Sequence, residues 1–194
     1  MASANPDKAR ELRQILEAAG LADASALEAL PAGWSCEETG LTIEENALLK
    51  ARSAAEATGL PAIADDTGLF VAGLGGAPGV YTSRFAGPGC SYEDNVRKLL
   101  KVLLWERGDS RSARFRTAAA CVMPSGEMLV EVGEMEGLIL DEPRGGGGFG
   151  YDPVFFVPGL GCTLAECTPE RKNSVCHRCR ALQALVEAVK GTCL

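Results

Sequence analysis

The sequence lacks any stretch approaching the roughly twenty consecutive apolar residues that a membrane helix needs. Its opening, Met1-Ala2-Ser3-Ala4-Asn5-Pro6, has no basic-then-apolar signal segment. Together these absences point to a cytoplasmic protein. Positive charge is also in short supply. With a formal net charge of −7 the chain has no general attraction for a polyanion, so DNA and RNA are disfavoured as partners. No Gly-Lys-Ser/Thr phosphate loop occurs, and the glycine run from Gly145 to Gly148 has no strand before it and no helix opening after it, which excludes a dinucleotide fingerprint. Internal repeats are absent, and His177 is the only histidine.

What is present is globular. At 194 residues, with 46% hydrophobic and 23% charged residues, the chain suits one domain with a genuine core, taken as 1–194. Eight cysteines are many for a chain of this size. Cys162, Cys167, Cys176 and Cys179 allow a zinc reading, since the second pair has C-x2-C spacing. Against it, Cys176 and Cys179 fall in one predicted helix, where a zinc knuckle needs a turn. The plainer reading is small, semi-buried thiols.

Four helices are predicted with their caps. The first follows Asn5-Pro6, carries Leu12, Ile15, Leu16 and Ala19 on one face, and stops at Gly20. The second opens with the capping box Thr42-Ile43-Glu44-Glu45 and runs to Gly59-Leu60-Pro61. A third starts at Ser91 with Asp94 three residues on, and a fourth starts near Asn173-Ser174. Strands are expected at Ala62 to Ala64, Leu69 to Ala72, Ala113 to Met123, Met128 to Glu136 and Val154 to Val157. This order implies an α/β fold: a mixed central sheet flanked by helices, in two lobes with a cleft between them.

Chemistry concentrates at a few places. Asp65 and Asp66 end an apolar run and precede Thr67-Gly68. Two adjacent anions raise the cost of ionising each other, which a divalent cation would relieve. The alternative is an Asx turn with Gly68 at positive φ. Glu37-Glu38-Thr39-Gly40 supplies a second acidic pair. Lys8 falls in the first turn of the first helix, and His177 and Arg178 in the first turn of the fourth, with Lys172 just before it. Cations there oppose the helix dipole, and a bound phosphate would resolve the conflict. Lys50 is an isolated cation among alanines on the second helix. Phe149, Tyr151 and Asp152 follow the glycine run, where they could stack on a planar base and bond its edge, although polyglycine is usually a linker. Carboxylates, cations and aromatics in this combination suit a magnesium–nucleoside triphosphate.

In order along the chain, Ser3-Ala4-Asn5-Pro6-Asp7-Lys8, Glu37-Glu38-Thr39-Gly40, Glu45-Asn46-Ala47-Leu48-Leu49-Lys50-Ala51, Ala64-Asp65-Asp66-Thr67-Gly68-Leu69, Leu74 to Arg84, Gly148-Phe149-Gly150-Tyr151-Asp152-Pro153 and Lys172 with Cys176-His177-Arg178 resemble the inosine triphosphate pyrophosphatase family. The resemblance implies Mg²⁺-dependent hydrolysis of ITP, dITP or XTP to the monophosphate and pyrophosphate. It implies Asp66 as general base and metal ligand, Asp65 assisting, Lys50 beside them, and Glu37 as second metal carboxylate with Glu38 in reserve. Ser3, Ala4, Asn5, Pro6, Asp7, Lys8, Thr67 and Lys50 would bind phosphate. Phe149, Gly150, Tyr151, Asp152, Lys172, His177 and Arg178 would hold the base. A homodimer is implied as well. The chain departs from the family pattern in having only Met1-Ala2 before the Ser3 segment, so the first strand is expected to be shortened or the start misassigned. It also departs in reading Cys176-His177-Arg178-Cys179 where relatives read Ser-His-Arg-Gly, and in a loop that is all glycine from 145 to 148 and so expected to be mobile. Two other readings are a septum-inhibitor-type pyrophosphatase acting on dTTP, UTP or modified nucleotides, and a zinc-binding regulatory module.

Overall fold

A computed structural model describes residues 5–18, 30–31 and 33–191. Helix α1 (Pro6–Ala18) is followed by α2 (Ile43–Thr58), strand β1 (Ala62–Val71), β2 (Pro78–Gly79), α3 (Tyr92–Val102), β3 (Ser112–Val122), β4 (Met128–Ile139), β5 (Phe155–Val157), β6 (Cys162–Thr163), α4 (Pro169–Val175) and α5 (His177–Gly191). The six strands form one sheet in the order β2-β1-β3-β4-β5-β6. The pairs β1–β2, β4–β5 and β5–β6 are antiparallel, with Phe70 opposite Pro78, Leu138 opposite Phe156 and Val157 opposite Cys162. The α/β class expected from the sequence is the class found. No helix among the described residues is long and apolar enough to cross a membrane.

Local chemistry explains the helix ends. Asn5 Oδ1 accepts from the amides of Asp7 (3.0 Å) and Lys8 (3.2 Å), capping α1. The predicted stop at Gly20, and Ala19 before it, lie outside the described residues. Thr42 and Glu45 form the expected capping box of α2, and Gly59 closes it in the left-handed region at φ 68. Ser91 and Asp94 cap α3 in the same way.

Two sequence expectations are corrected. The fourth helix does not run from Asn173-Ser174, because α4 ends at Val175 and α5 begins at His177. Cys176 lies at the break, and its sulfur accepts from the Cys179 amide at 3.5 Å, taking the place of a capping hydroxyl. The second correction concerns the aspartate pair. Asp65-Asp66-Thr67-Gly68 is no turn between two strands: all four residues lie inside the single strand β1. Gly68 is needed for close approach, not for a left-handed φ, since a Cβ there would sit 2.7 Å from the Phe70 ring and 3.0 Å from the Gly79 carbonyl oxygen.

The chain divides into two compact units. The first comprises Met1–Asp66, Thr117–Glu134 and Val175–Leu194. Its core joins Leu12, Ile15 and Leu16 of α1, the alanine face of α2, Ala118 to Ala120 of β3, and Leu182 and Leu185 of α5. The second comprises Thr67–Arg116 and Met135–Ser174. Phe115 and Phe155 pack there with ring centroids 4.5 Å apart, and Leu99, Leu103 and Leu164 of the same unit are buried. Buried Arg111 ties the end of α3 to the end of β4, donating to the carbonyls of Leu103 (2.8 Å), Ile139 (2.7 Å) and Leu140 (2.6 Å).

Within the first unit, Gly133 of β4 faces the start of α5, the turn that carries His177 and Arg178. A Cβ at Gly133 would lie 2.2 Å from the His177 carbonyl oxygen and 2.4 Å from the Ala181 amide nitrogen. Both are backbone atoms and cannot rotate away. Gly133→Ala is therefore expected to cost about 1–3 kcal/mol by overpacking, which for a chain of this size lowers Tm by roughly 2–12 °C. Gly159→Ala, where a Cβ meets nothing within 4 Å, is the control and should leave Tm unchanged. Thermal unfolding of the two variants followed by circular dichroism decides it, and equal midpoints would refute the close approach.

Candidate active site

The first unit gathers its charges around β1. Asp65 and Asp66 are buried, at 1% and 5% exposure, in the middle of a strand where neither anion can be left uncompensated. Helix α2 runs beside them, and Lys50, eight residues past its cap, donates to Asp66 Oδ1 at 2.9 Å and to Glu38 Oε1 at 2.8 Å. Asn46, one turn earlier, donates to Asp66 Oδ2 at 3.4 Å while its own oxygen accepts from the Gly40 amide at 2.8 Å. Lys8, in the capped first turn of α1, stands 3.7 Å from Asp65 Oδ2 and 3.9 Å from Asp66 Oδ1. From the start of α5, Arg178 donates through Nε to Asp65 Oδ2 at 3.1 Å and through Nη1 to Glu11.

Four carboxylates (Glu11, Glu38, Asp65, Asp66) thus meet three cations (Lys8, Lys50, Arg178), leaving one negative charge in excess. Burial alone would raise the Asp65 carboxyl, but Lys8, Arg178 and Lys50 outweigh it and hold the group well below the usual carboxylate range. For Lys50 burial works downward, and Asp66, Asp65 and Glu38 reverse it, so the ammonium is held more firmly than usual. Arg178 follows the same pattern: burial opposes its charge, and Glu11 and Asp65 secure it. Buried His177 stands beside Arg178, its Nδ1 2.6 Å from Thr117 Oγ1 of β3.

The second unit holds a different group. Asp152 Oδ2 accepts from the Phe149 amide at 2.9 Å and from Lys172 Nζ at 2.6 Å. That ammonium also lies 4.8 Å from the centroid of the half-buried Phe149 ring, within cation–π range. Tyr92, at the start of α3, flanks the same ring at 5.9 Å. The glycines before Phe149 are not a linker. At Gly148, φ is +68 and a Cβ would strike Asp152 Oδ2 at 2.1 Å; at Gly145, a Cβ would lie 2.6 Å from the Ala165 carbonyl. The loop takes this path only because it has no side chains there.

Most of the predicted site residues fall into these two groups. Asn5, Pro6, Asp7 and Lys8 form the start of α1, while Ser3 and Ala4 lie outside the described residues. Thr67 follows Asp66 in β1 and is half-buried, and Gly150 sits at φ +64 in the loop. Glu38, not the exposed Glu37, is the acidic residue that pairs with Lys50, which also pairs with Asp66. Arg178, expected at a base, has Asp65 and Glu11 as partners and is 2% exposed. Tyr151, expected to stack on a base, is buried, and its hydroxyl donates to the Thr82 carbonyl at 3.0 Å. Among the described residues no group of three or more His, Cys, Asp or Glu side chains is placed to hold a metal, so the four-cysteine zinc site does not form.

Glu11, Asn46, Thr117 and Tyr92 were missed. Glu11 carried a signal: it lies four residues before Ile15 on the apolar face of α1, an acid where a core residue belongs. Asn46 likewise interrupts the alanine face of α2. Thr117 and Tyr92 gave none, since their partners come from distant segments.

A family model described as the Ham1 family matches residues 1–188. A relative from Photorhabdus laumondii named dITP/XTP pyrophosphatase is 47% identical over 193 residues, covering 98% of this chain and 97% of its own length. Among solved structures, a HAM1 protein from Coxiella burnetii superposes with a TM-score of 0.80 at 38% identity, over 98% of this chain and 96% of that one. A nucleoside-triphosphatase, also titled dITP/XTP pyrophosphatase, from Mycobacterium abscessus reaches a TM-score of 0.72 at 41% identity, over 95% of each chain.

The geometry around Asp65 has a measurable consequence. A carboxyl whose folded pKa is depressed stabilises the fold fully above its unfolded value, about 4, and that contribution is lost as pH falls toward the folded value. Stability should therefore fall as pH drops below about 4 and be insensitive to Asp65 above it. In Asp65→Asn the acid slope of Tm between pH 4 and pH 2 should flatten relative to the parent. Parallel slopes in the two proteins would mean that Asp65 is not held ionised by its cations.

Proposed function

The chain belongs to the Ham1 family, and from that premise we propose that it hydrolyses the non-canonical purine nucleoside triphosphates ITP, dITP and XTP to the monophosphate and pyrophosphate. The observation that carries the reading is the set of buried Asp65, Asp66 and Lys50 with the half-buried Lys8, which combines a proton acceptor with two phosphate-neutralising cations. We take the whole chain to act as one pyrophosphatase domain in the cytoplasm.

The donor set fits Mg²⁺. Its carboxylate oxygens are hard ligands, and Mg²⁺ is commonly held by one or two protein carboxylates with waters and substrate phosphates completing its shell. A cage of three protein ligands is thus not needed, and none occurs among the described residues. Asp66 and Glu38 are the residues that would hold the ion, since Lys50 already brings both to one point. When bound, Mg²⁺ supplies charge neutralisation on the triphosphate and acidifies a coordinated water.

Asp66 accepts the proton of the water that attacks the α-phosphorus, the new P–O bond forms, and the α–β bridging bond breaks with its electron pair leaving on pyrophosphate. Asp65, kept ionised by Arg178 and Lys8, adds its charge beside Asp66 without itself taking a proton. Lys8 and Lys50 stabilise the charge building on the leaving phosphates. In the second unit the exposed part of Phe149 offers a stacking face, and Lys172, fixed by Asp152, offers a donor to the 6-keto group. Adenine carries a 6-amino donor there, so a donor would face a donor and binding would fail.

Pyrophosphate release should be measured for ITP, XTP, dITP, GTP and ATP with Mg²⁺. The expected result is a preference for ITP over ATP of at least about 100-fold in kcat/KM, and a loss of roughly 10²–10⁴ in kcat for Asp66→Asn. Comparable turnover of ATP and ITP would defeat the specificity, and an unaffected Asp66→Asn would defeat the mechanism. We also propose a homodimer, for which light scattering should return twice the chain mass of 20.3 kDa. A monomer mass at micromolar concentration would reject it.

A further inference from the structure

In the second unit, Cys162 and Cys167 stand with their sulfurs 3.5 Å apart, in van der Waals contact. Cys162 opens β6, and Cys167 follows the short turn Leu164–Glu166, so the pair closes a tight six-residue loop. Both side chains are half-buried and reachable from solvent. Bonded sulfurs lie about 2.0 Å apart, so an approach of about 1.5 Å would close the bond. Disulfides in reducing compartments are transient or regulatory, not structural. We propose that Cys162 and Cys167 are a redox-active pair that closes reversibly into a disulfide when a disulfide oxidant such as glutathione disulfide reaches this loop.

The exchange balances in two steps. The Cys162 thiolate attacks one sulfur of glutathione disulfide, forming a mixed disulfide and releasing one glutathione thiolate. The Cys167 thiolate then attacks the Cys162 sulfur, the protein disulfide forms, and the second glutathione leaves. The two cysteine protons pass to the two departing thiolates, so the dithiol is oxidised and the glutathione disulfide reduced. Burial and the bond with Cys162 push the Cys167 thiol up, which disfavours Cys167 as the first nucleophile.

The pair is wired to the glycine loop through the backbone. Thr163 Oγ1 donates to the Arg144 carbonyl at 2.9 Å, the Gly147 amide donates to the Ala165 carbonyl at 3.0 Å, and the Ala165 amide donates to the Asp152 carbonyl at 3.3 Å. Closing the disulfide removes freedom from the 162–167 turn and, through these three bonds, from residues 144–152. The oxidised protein therefore has a stiffer loop around Phe149 and Asp152. This inference stands apart from the proposed activity, and neither readout below uses turnover.

Reduced native protein should be incubated with glutathione disulfide, alkylated and digested with trypsin. The peptide 145–171 contains both cysteines. It is expected to emerge lighter by two hydrogens and unalkylated, and dithiothreitol should restore it. In Cys167→Ser the same peptide should stop at the mixed disulfide, one glutathione heavier; Cys162→Ser serves as the second variant and should show no cyclised peptide. Separate glutathione adducts on both cysteines of the parent, or an unchanged peptide while Cys36 or Cys90 reacts, would overturn the pairing. Amide exchange at Gly147 and Asp152 should slow by about tenfold on oxidation. Equal exchange in the two states would overturn the coupling to the loop.

Discussion

Placing two carboxylates side by side in the middle of a buried strand is the constraint on which the first unit depends. Burying Asp65 and Asp66 there without counter-charge would carry a large desolvation cost. The compensation comes from three separate places: Lys8 at the start of α1, Lys50 on α2 and Arg178 at the start of α5. Each cation is itself positioned by local chemistry. Asn5 caps the turn that carries Lys8, the Thr42–Glu45 box fixes the phase of α2, and the Cys176 sulfur caps the turn that carries Arg178. Removing one partner from such a set costs more than the pair contributes, because the other charge stays buried. The set therefore holds three segments in register as much as it serves chemistry.

The second unit solves a smaller problem by different means. One carboxylate oxygen, Asp152 Oδ2, takes a backbone amide and an ammonium at once, and so fixes both Phe149 and Lys172. The approach is close enough that residue 148 has no room for a side chain. Glycine's entropic cost is accepted there because only glycine permits the contact. The glycine run is thus a consequence of where Asp152 must sit. Its reading as a flexible linker fails for the same reason.

Legibility in the sequence followed the range of the interactions. Helix caps act over three or four residues, and Thr42–Glu45 and Ser91–Asp94 were both readable as boxes. Strand β1 was not readable as one element, because Asp-Asp-Thr-Gly has the composition of a turn, and the long-range partners that keep it extended are invisible locally. The break at Cys176 was hidden because cysteine is not among the usual capping residues. At the site, the residue types and their order were legible, and so was the family. Which of Glu37 and Glu38 turns inward was not, since adjacent residues in an irregular segment carry no periodicity. Tyr151 looked like a free aromatic until its hydroxyl was seen to bond Thr82.

Cations at helix starts were the sequence feature that suggested a bound phosphate, and the structure separates them. Arg178 is fully engaged, with two carboxylates and 2% exposure, so its conflict with the α5 dipole is already relieved inside the protein. Lys50, on α2, is held almost as tightly, at 2.8 and 2.9 Å from two carboxylate oxygens. Lys8 differs. Its ion pairs are the longest of the set, at 3.7 and 3.9 Å, and its side chain keeps 19% of its exposure. A charge held at those distances is less tightly bound than one in direct hydrogen-bond contact. Of the three cations, Lys8 is the one that an arriving anion could engage without breaking a short buried pair. The same dipole violation therefore has two meanings in one protein: at Arg178 it builds the fold, and at Lys8 it leaves a cation available.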